Sequence, residues 1–347
     1  MLDLGGKARL LAVAVAVLLL AGCVGRTRYD EVDGILRDAV IFPDEFGVDV
    51  RGLPVDVRAA MDSVQVARLR ADVDAIDEPR GTAQFPAALR AAGHVAGELE
   101  EAGLRVAFDD VTAPNGQVLP NVVADLPGRE CRDEVFVVGA HYDSVNASPG
   151  ADDDASGVAG MLELARVLRS LPLPMTVRFT GFAFEEIGLL GSRQMASDLA
   201  EAGTDVAGMV SLEMIGFTRA GDDAFLGVPN DYLATVGDPQ SELLARVFGA
   251  AHYEYLLNRF APAAVIDPAT FGDVLRSDHA PFWAEGFPAL LITDTANFRN
   301  PNYHQASDTI ETLDFGYLSD SVKATLTGLL AFGLVDADDD GTPDVCG

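Results

Sequence analysis

The stretch that decides the fold runs from His141 to Gly157: His-Tyr-Asp-Ser-Val-Asn-Ala-Ser-Pro-Gly-Ala-Asp-Asp-Asp-Ala-Ser-Gly. It is polar, and an apolar segment lies on each side of it. The segment before it, Glu134-Val-Phe-Val-Val-Gly-Ala, is typical of a strand buried on both faces. The segment after it has apolar residues at helical spacing, with Ser156 as the expected N-cap. Because open α/β sheets bind ligands at the carboxyl ends of their strands, the sequence predicts a functional site in this loop.

Three further apolar runs end in the same way, with acidic or imidazole side chains beyond the predicted strand. The runs and the groups that follow them are 175–184 with Glu185 and Glu186, 206–212 with Glu213, and 289–293 with His304. Parallel strands bring their carboxyl ends to one edge of a sheet. We therefore expect these groups to meet the His141 loop at that edge.

The order of the predicted elements indicates the fold class. Helical spacing runs from about residue 55 to residue 76, stops at Pro79-Arg-Gly-Thr, and resumes from about 85 to 102. Strand patterns follow at 104–108 and 118–125, and strands then alternate with helices. The sequence therefore predicts an α/β fold with a mixed, mostly parallel central sheet sandwiched between helices.

The amino end has the pattern of an export signal. Lys7 and Arg9 precede an apolar run over residues 10–20, which is too short to span a bilayer and ends in small residues. Leu20-Ala-Gly-Cys23 resembles the bacterial lipoprotein box, which implies cleavage before Cys23 and lipidation of its thiol. An ordinary signal peptide, followed by secretion, is the alternative. We expect an exported protein of the cell envelope, lipid-anchored to a bacterial membrane.

These patterns divide the chain into four parts. Residues 1–22 are the predicted lipoprotein signal peptide, and residues 23–54 are a predicted tether because they mix charges with isolated apolar positions. Residues 55–335 form the predicted main domain. Residues 336–347 form an acidic tail.

The acidic tail resembles a calcium loop. It places oxygen ligands at the first, third, fifth and ninth positions and a glycine at the sixth. The ligands of this expected Ca²⁺ site are Asp336, Asp338, Asp340 and Asp344. The twelfth position, where a bidentate glutamate belongs, is Gly347. A solvated acidic tail is therefore the alternative.

The cysteines leave one pairing open. If Cys23 is acylated, Cys131 and Cys346 remain as a pair in an oxidising compartment. They form either a disulfide that ties the carboxyl end to the main domain or two free thiols, and the sequence does not choose between them.

The charge of the chain limits its partners. The formal net charge is −30, from 54 acidic and 24 basic residues. Such a surface repels nucleic acid and acidic substrates, so we expect neither as a partner. It favours the approach of a cationic group over an anionic one. The oligomeric state has no signature in the sequence.

The ligand types at the predicted strand exits favour one metal chemistry. Imidazoles with carboxylates and no thiolate suit a hydrolytic zinc better than a structural cysteine-type site. A carboxylate that reaches two metals about 3.5–4 Å apart would form a two-metal clamp. His141 and Asp143 are two residues apart on an extended segment, so Asp143 can accept the second N–H of the imidazole.

Six motifs resemble those of the secreted di-zinc aminopeptidases. They are His141-Tyr-Asp-Ser, Pro149-Gly-Ala-Asp-Asp-Asp-Ala-Ser-Gly, Glu185-Glu-Ile-Gly-Leu-Leu-Gly-Ser, Leu212-Glu-Met, Ser277-Asp-His-Ala-Pro-Phe and Asn302-Tyr-His-Gln-Ala-Ser-Asp-Thr. The resemblance covers about residues 79–334, and the wider family includes glutamate carboxypeptidases, glutaminyl cyclases and the transferrin-receptor ectodomain. It implies a phosphorylase/hydrolase-like zinc exopeptidase domain over residues 55–335, with peptides as substrates.

The resemblance also implies a metal-binding role for each matching residue. One zinc would be held by His141 and Glu213 and the other by His304 and Glu186, and Asp153 would bridge the two. The family more often has aspartate where this chain has Glu213, so the position of that carboxylate is expected to differ.

Other roles are implied for residues around the two metals. Glu185 would be the general base, with Asp143 as the partner of His141. Supporting residues are expected at Ser277, Asp278 and Asp308, and pocket-lining residues at Tyr303 and Phe298.

Alternative functions remain at this point. A zinc carboxypeptidase or a glutaminyl-cyclase-like enzyme would use the same metal ligands, and Arg276 or Arg299 could bind a substrate carboxylate. A non-catalytic peptide-binding or receptor-like module of the same fold predicts missing ligands, and none is missing here. The resemblance therefore favours a metal-dependent aminopeptidase.

Overall fold

The computed structural model of the protein describes residues 39–41, 43–218, 232–256, 263–336 and 343–346. The strands in these ranges are β1 (Val40–Ile41), β2 (Arg105–Thr112), β3 (Val118–Leu126), β4 (Glu134–His141), β5 (Thr176–Phe182), β6 (Asp205–Leu212), β7 (Ala234–Gly237), β8 (Ala263–Val265) and β9 (Ala289–Thr293). The α-helices are α1 (Val57–Asp62), α2 (Val66–Ile76), α3 (Phe85–Glu101), α4 (Gly157–Leu168), α5 (Leu190–Ala202), α6 (Glu242–Tyr255), α7 (His279–Ala284) and α8 (Phe315–Leu334).

The described strands form one mixed sheet in the order β1-β8-β7-β9-β6-β4-β5-β3-β2. Its central strands β9, β6, β4 and β5 are parallel neighbours, and antiparallel pairs occur nearer both edges. The four parallel strands are those whose exits were predicted to meet. The mixed α/β fold expected from the sequence is therefore confirmed.

Helices cover both faces of the sheet, and β4 shows how the two cores are separated. Phe136 and Val138 belong to one buried cluster, whereas Val135 and Val137 belong to another. The first cluster is closed by α2, α3, α4, α6 and α8, and the second by α5 and α7. The alternation confirms that β4 is buried on both faces, because successive side chains of a strand point to opposite sides.

The predicted tether is too long, because the described residues before position 55 belong to the domain. Strand β1 pairs with β8 at the edge of the sheet. Phe46 and Val50 are buried in the core. A strand of two residues and isolated apolar positions have no period that a sequence pattern can detect. The domain therefore begins by residue 39 instead of residue 55.

Two local expectations are corrected at helix starts. The helical pattern over 55–76 is divided into α1 and α2, and the Asp56 side chain caps α1 by accepting from the Ala59 N–H. Ser156 does not cap α4, since its hydroxyl donates to the Asp152 carbonyl at 2.8 Å. The Asp154 side chain accepts instead from the Gly157 N–H at 3.1 Å.

The carboxyl end is attached to the domain. A disulfide joins Cys131 to Cys346, which decides the question that the sequence left open. Asp338 and Asp340 of the expected calcium loop lie outside the described residues, so the Ca²⁺ site stays a prediction. The signal segment and Cys23 also lie outside them. In the described part of the chain, no helix is both long and apolar enough to cross a membrane.

Candidate metal centre

The side chains predicted to form the site converge at the carboxyl edge of the parallel strands. His141 is the last residue of β4, and Asp153 lies in the segment between β4 and α4. The other groups follow β5, β6 and β9 in loops. They form two clusters of imidazole and carboxylate groups, each compact enough to hold a metal ion. The first cluster is His141, Glu185 and Glu213, and the second is Asp153, Glu186 and His304.

Asp153 lies between the two imidazoles and connects the clusters. Its Oδ1 is 3.2 Å from His141 Nε2, and its Oδ2 is 3.1 Å from His304 Nε2. A second carboxylate approaches each imidazole: Glu213 Oε2 lies 3.6 Å from His141 Nε2, and Glu186 Oε2 lies 3.2 Å from His304 Nε2. This arrangement suits one carboxylate that bridges two cations, each with its own imidazole and acid.

Negative charge exceeds positive charge in the site. Burial raises the pKa of Glu185 well above its usual value and that of Glu186 to about 7. Burial alone would lower the pKa of His304, but the nearby carboxylates of Asp153 and Glu186 raise it to about 10. The site thus contains more carboxylates than positively charged groups to pair with them. Two divalent cations would remove that excess.

The donor atoms fit a metal ion. His141 Nε2 and Asp153 Oδ2 are buried. Asp153 Oδ1 lies 3.2 Å from the first and His304 Nε2 lies 3.1 Å from the second, but neither buried atom makes a well-aligned hydrogen bond among the described residues. A buried polar atom that lacks a well-aligned hydrogen bond is costly, and a metal ion would satisfy both. Imidazole nitrogen and carboxylate oxygen are ligands that zinc accepts. The residues present are therefore suitable for a pair of zinc ions.

Access to the site is one-sided. The His141 side chain is only 1% exposed, whereas the His304 side chain is 34% exposed. The His141 half is enclosed by β4 and its neighbours, and the His304 half opens towards solvent. A substrate would therefore enter from the His304 side.

The run of three aspartates divides into one candidate ligand, Asp153, and two structural residues. Asp152 accepts from the Gly216 N–H and the Asn300 side-chain amide, at 3.0 and 2.7 Å. Asp154 accepts from the backbone N–H groups of His141 and Met214, at 3.3 and 3.1 Å. These bonds hold the backbone on both sides of Asp153. The sequence did not reveal these two roles, because the backbone N–H groups that Asp152 and Asp154 bind are brought near them only by the arrangement of neighbouring strands.

Asp308 takes the supporting position expected from the sequence. Its carboxylate accepts from the N–H groups of Asp152 and Asp153, at 3.0 and 3.1 Å. Burial raises the pKa of Asp308 to about 8. It therefore fixes the backbone of the bridging residue without reaching the imidazoles.

Asp143 is placed differently from the expectation. His141 Nδ1 lies 3.1 Å from the Asp143 backbone oxygen, whereas the Asp143 carboxylate is 3.7 Å away. That carboxylate accepts from the N–H groups of Glu185 and Glu186, at 3.0 and 3.3 Å. The Asp143 carboxylate stays within ion-pair distance of His141 but beyond hydrogen-bond distance, because it is directed at the next strand exit. Asp143 thus positions both glutamates.

The supporting residues near Glu213 are also located. The Ser277 hydroxyl donates to Glu213 Oε2 at 2.7 Å and lies 3.1 Å from the Ser211 hydroxyl. Asp278, at the start of α7, is fully buried, and burial raises its pKa to about 7. Ser277 contacts a predicted ligand directly, as the sequence led us to expect.

A pocket opens beside Glu213. Its walls include Phe298 and Tyr303, the two residues expected there. The Tyr303 ring stacks on the His304 ring at 3.7 Å, and Arg276 donates to the Tyr303 hydroxyl at 2.8 Å. Arg299 is unavailable to a substrate, because it is buried and its guanidinium donates to the Tyr232 carbonyl and the Tyr317 hydroxyl.

A third acidic group lies away from this site and has a different character. Asp72, His94 and Glu98 are close enough to share an ion, but Arg166 donates to both carboxylates. The guanidinium is thus already paired with both carboxylates. His94, 3.2 Å from Asp72, belongs to this structural ion-pair network.

The fold and the site now define a class of protein. The sequence model of peptidase family M28 matches residues 121–327, and the chain belongs to that family.

Individual relatives agree with this assignment. The uncharacterized protein YfbL of Escherichia coli is 31% identical over 275 residues, 72% of this chain and 82% of YfbL. Leucine aminopeptidase 1 of Uncinocarpus reesii is 34% identical over 226 residues, 59% of this chain and 53% of that protein. The chain thus spans about half the length of that aminopeptidase. The LapA aminopeptidase of Legionella pneumophila has a similar fold, with a TM-score of 0.68, 19% identity, and coverage of 91% of this chain and 83% of LapA.

Replacing Asp143 by asparagine is predicted to weaken metal binding. An amide has one acceptor oxygen, so the N–H of either Glu185 or Glu186 would face the side-chain NH₂ instead. We expect zinc affinity to fall roughly 10–100-fold, the usual effect of losing a group that orients ligands. Competition with a chromophoric chelator measures it. Asp125→Asn, in an ion pair with Arg178 elsewhere, is the control. Equal affinities in Asp143→Asn and the wild type would contradict the assigned role.

Proposed function

We propose that the protein is a metal-dependent exopeptidase that removes residues from the amino end of peptides. One observation carries the proposal: Asp153 lies between two imidazoles, each accompanied by a second carboxylate, with Glu185 beside them. Membership of peptidase family M28 supports it. The non-catalytic alternative of the same fold is disfavoured, because every predicted ligand is present and directed into the site.

The five metal ligands divide into two sets that share a residue. His141, Glu213 and Asp153 would hold one zinc, and His304, Glu186 and Asp153 the other. When bound, the two ions would lower the pKa of a water molecule and polarise the carbonyl of the scissile bond. The chain's own residues then have to supply the proton transfers and the orientation of the substrate.

Glu185 is suited to proton transfer. Its Oε2 lies 3.9 Å from His141 Nε2, close to the ligands but outside hydrogen-bond contact, and its side chain is 10% exposed. Burial raises its pKa well above the usual value. The Glu185 carboxylate would accept a proton from the attacking water and then pass it to the departing amine, so that the peptide bond breaks without net change in Glu185.

Charge favours the amino end of the substrate. The net charge of −30 gives the protein a surface that attracts an ammonium group and repels a carboxylate. Two arginines were considered for binding a substrate carboxylate. Of these, only Arg276 lines the pocket beside Glu213, and its guanidinium already donates a hydrogen bond to the Tyr303 hydroxyl. A carboxypeptidase or a glutaminyl-cyclase-like enzyme is the alternative that uses the same metal ligands.

The Glu185→Gln variant is predicted to retain its zinc and lose turnover. The amide has nearly the same size but cannot accept the proton, so kcat for an aminoacyl anilide should fall about 10²–10⁴-fold. Metal analysis of the purified protein checks that zinc is kept. Glu201→Gln, at an exposed position, is the matched control and should leave kcat unchanged. Undiminished turnover in Glu185→Gln would remove this residue from the mechanism.

Peptides with free and blocked amino ends are predicted to separate the alternatives. The proposed aminopeptidase should cleave the free-amine peptide and leave its N-acetylated form intact, because the blocked peptide has no ammonium group to attract. Mass spectrometry of the products identifies which end is shortened. Cleavage of the acetylated peptide at its carboxyl end would indicate a carboxypeptidase, and loss of ammonia from an N-terminal glutamine without hydrolysis would indicate a cyclase.

We also propose that the mature protein is held at a bacterial membrane by lipidated Cys23. The proposal is supported by the lipoprotein-like sequence that ends at Cys23. Expressed in a bacterium, the wild-type protein should enter the detergent phase on phase partitioning, and Cys23→Ser should remain in the aqueous phase. A wild-type protein found only in the aqueous phase would favour the secreted alternative.

A further inference from the structure

Arg80 is fully buried, and in the described part of the chain none of its hydrogen bonds goes to a carboxylate. Its guanidinium donates only to backbone carbonyls. Nε donates to Tyr142 at 2.8 Å, Nη2 to Gly150 at 3.0 Å, and Nη1 to Pro149, Ile76 and Glu78. A guanidinium stays charged when buried, so burying Arg80 without a carboxylate partner costs free energy. A fold that retains such a residue indicates a specific role for it.

Three of the five carbonyls that Arg80 contacts, those of Tyr142, Pro149 and Gly150, lie at the two ends of the loop 142–150. Tyr142 follows the ligand His141, and Gly150 comes three residues before Asp153. Gly150 has a positive φ of 65°, and an added Cβ there would be 2.2 Å from the Asp153 carbonyl oxygen. The guanidinium and this glycine thus fix the point at which the chain turns from the loop to the bridging ligand.

The middle of the same loop is also connected to Arg80 and to a third ligand. The Arg80 backbone N–H donates to the Ser144 hydroxyl at 2.9 Å, and that hydroxyl donates to the Ser148 carbonyl at 2.9 Å. The Val145 N–H donates to Glu186 Oε1 at 3.1 Å. Movement of the loop would therefore displace Glu186 as well as His141 and Asp153.

We propose that Arg80 is a positioning residue for the metal site, acting by holding the two ends of the loop 142–150 together. The inference rests on the proposed metal-dependent function. A planar guanidinium offers five donors in a rigid fork, which a lysine ammonium cannot reproduce. Arg80 touches neither metal ligand side chains nor substrate, so its effect is transmitted through the backbone.

The direction in which zinc affinity changes when Arg80 is replaced distinguishes a positioning role from an electrostatic one. Asp143 and Asp153 lie close enough to Arg80 to interact electrostatically with it. Removing the positive charge alone would make the site more negative and strengthen its attraction for cations. A loss of zinc affinity on removing Arg80 would therefore come from lost geometry. Retaining the charge as lysine should not restore the affinity.

The test compares zinc affinities of Arg80→Met and Arg80→Lys with the wild type by chelator competition, with circular dichroism to check folding. We expect both variants to bind zinc roughly 10–100-fold more weakly. The control is Arg166→Met, which removes another largely buried arginine that contacts Asp72 and Glu98 and should keep wild-type zinc affinity. Unchanged zinc affinity in folded Arg80→Met, or full restoration by Arg80→Lys, would overturn the proposal.

A milder variant decides the matter if the Arg80 variants do not fold. Ser144→Ala keeps the guanidinium and removes only the hydroxyl that connects the Arg80 backbone N–H to the Ser148 carbonyl. Because this loosens the same loop, we expect about a fivefold loss of zinc affinity. Unchanged affinity in Ser144→Ala would then overturn the proposal. A wild-type protein that binds no zinc would contradict the proposed function itself, whereas a zinc-loaded wild type with unaffected variants contradicts only the role of Arg80.

Discussion

The contact on which the site depends is that of the Asp153 carboxylate with two imidazoles from different parts of the sheet edge. It exists only because β4, β5, β6 and β9 are parallel neighbours and end at the same edge. Several acids are thereby buried together, and their mutual repulsion is the physical reason that the site calls for cations. The surrounding hydrogen bonds hold the backbone of these acids in place against that repulsion.

The sequence predicted the central sheet and the side chains that converge at its edge, because both leave strong local signals. Strands buried on both faces read as continuous apolar runs, and His141, Glu186 and Glu213 come directly after such runs. By contrast, β1 has two residues and pairs with β8 far along the chain. No local sequence pattern predicts such a strand, since its pairing is determined by tertiary contacts.

The sequence was less informative about the groups that support the ligands. Asp143, Asp154 and Arg80 act on backbone N–H or carbonyl groups, and any residue type exposes the same backbone atoms. Which of these atoms lack a partner is known only once the strands are aligned. The side chains that converge could therefore be predicted from residue type and position, whereas the residues that support them required the three-dimensional arrangement.

The disulfide between Cys131 and Cys346 has a practical consequence for handling the protein. Cys131 lies just before β4, at the end of the strand remote from His141, and a strand of eight residues is about 25 Å long. Cys346 is thus fastened far from the cleft. A resin or reporter attached beside Cys346 would leave the cleft unobstructed, which makes this end of the strand a suitable place for immobilisation.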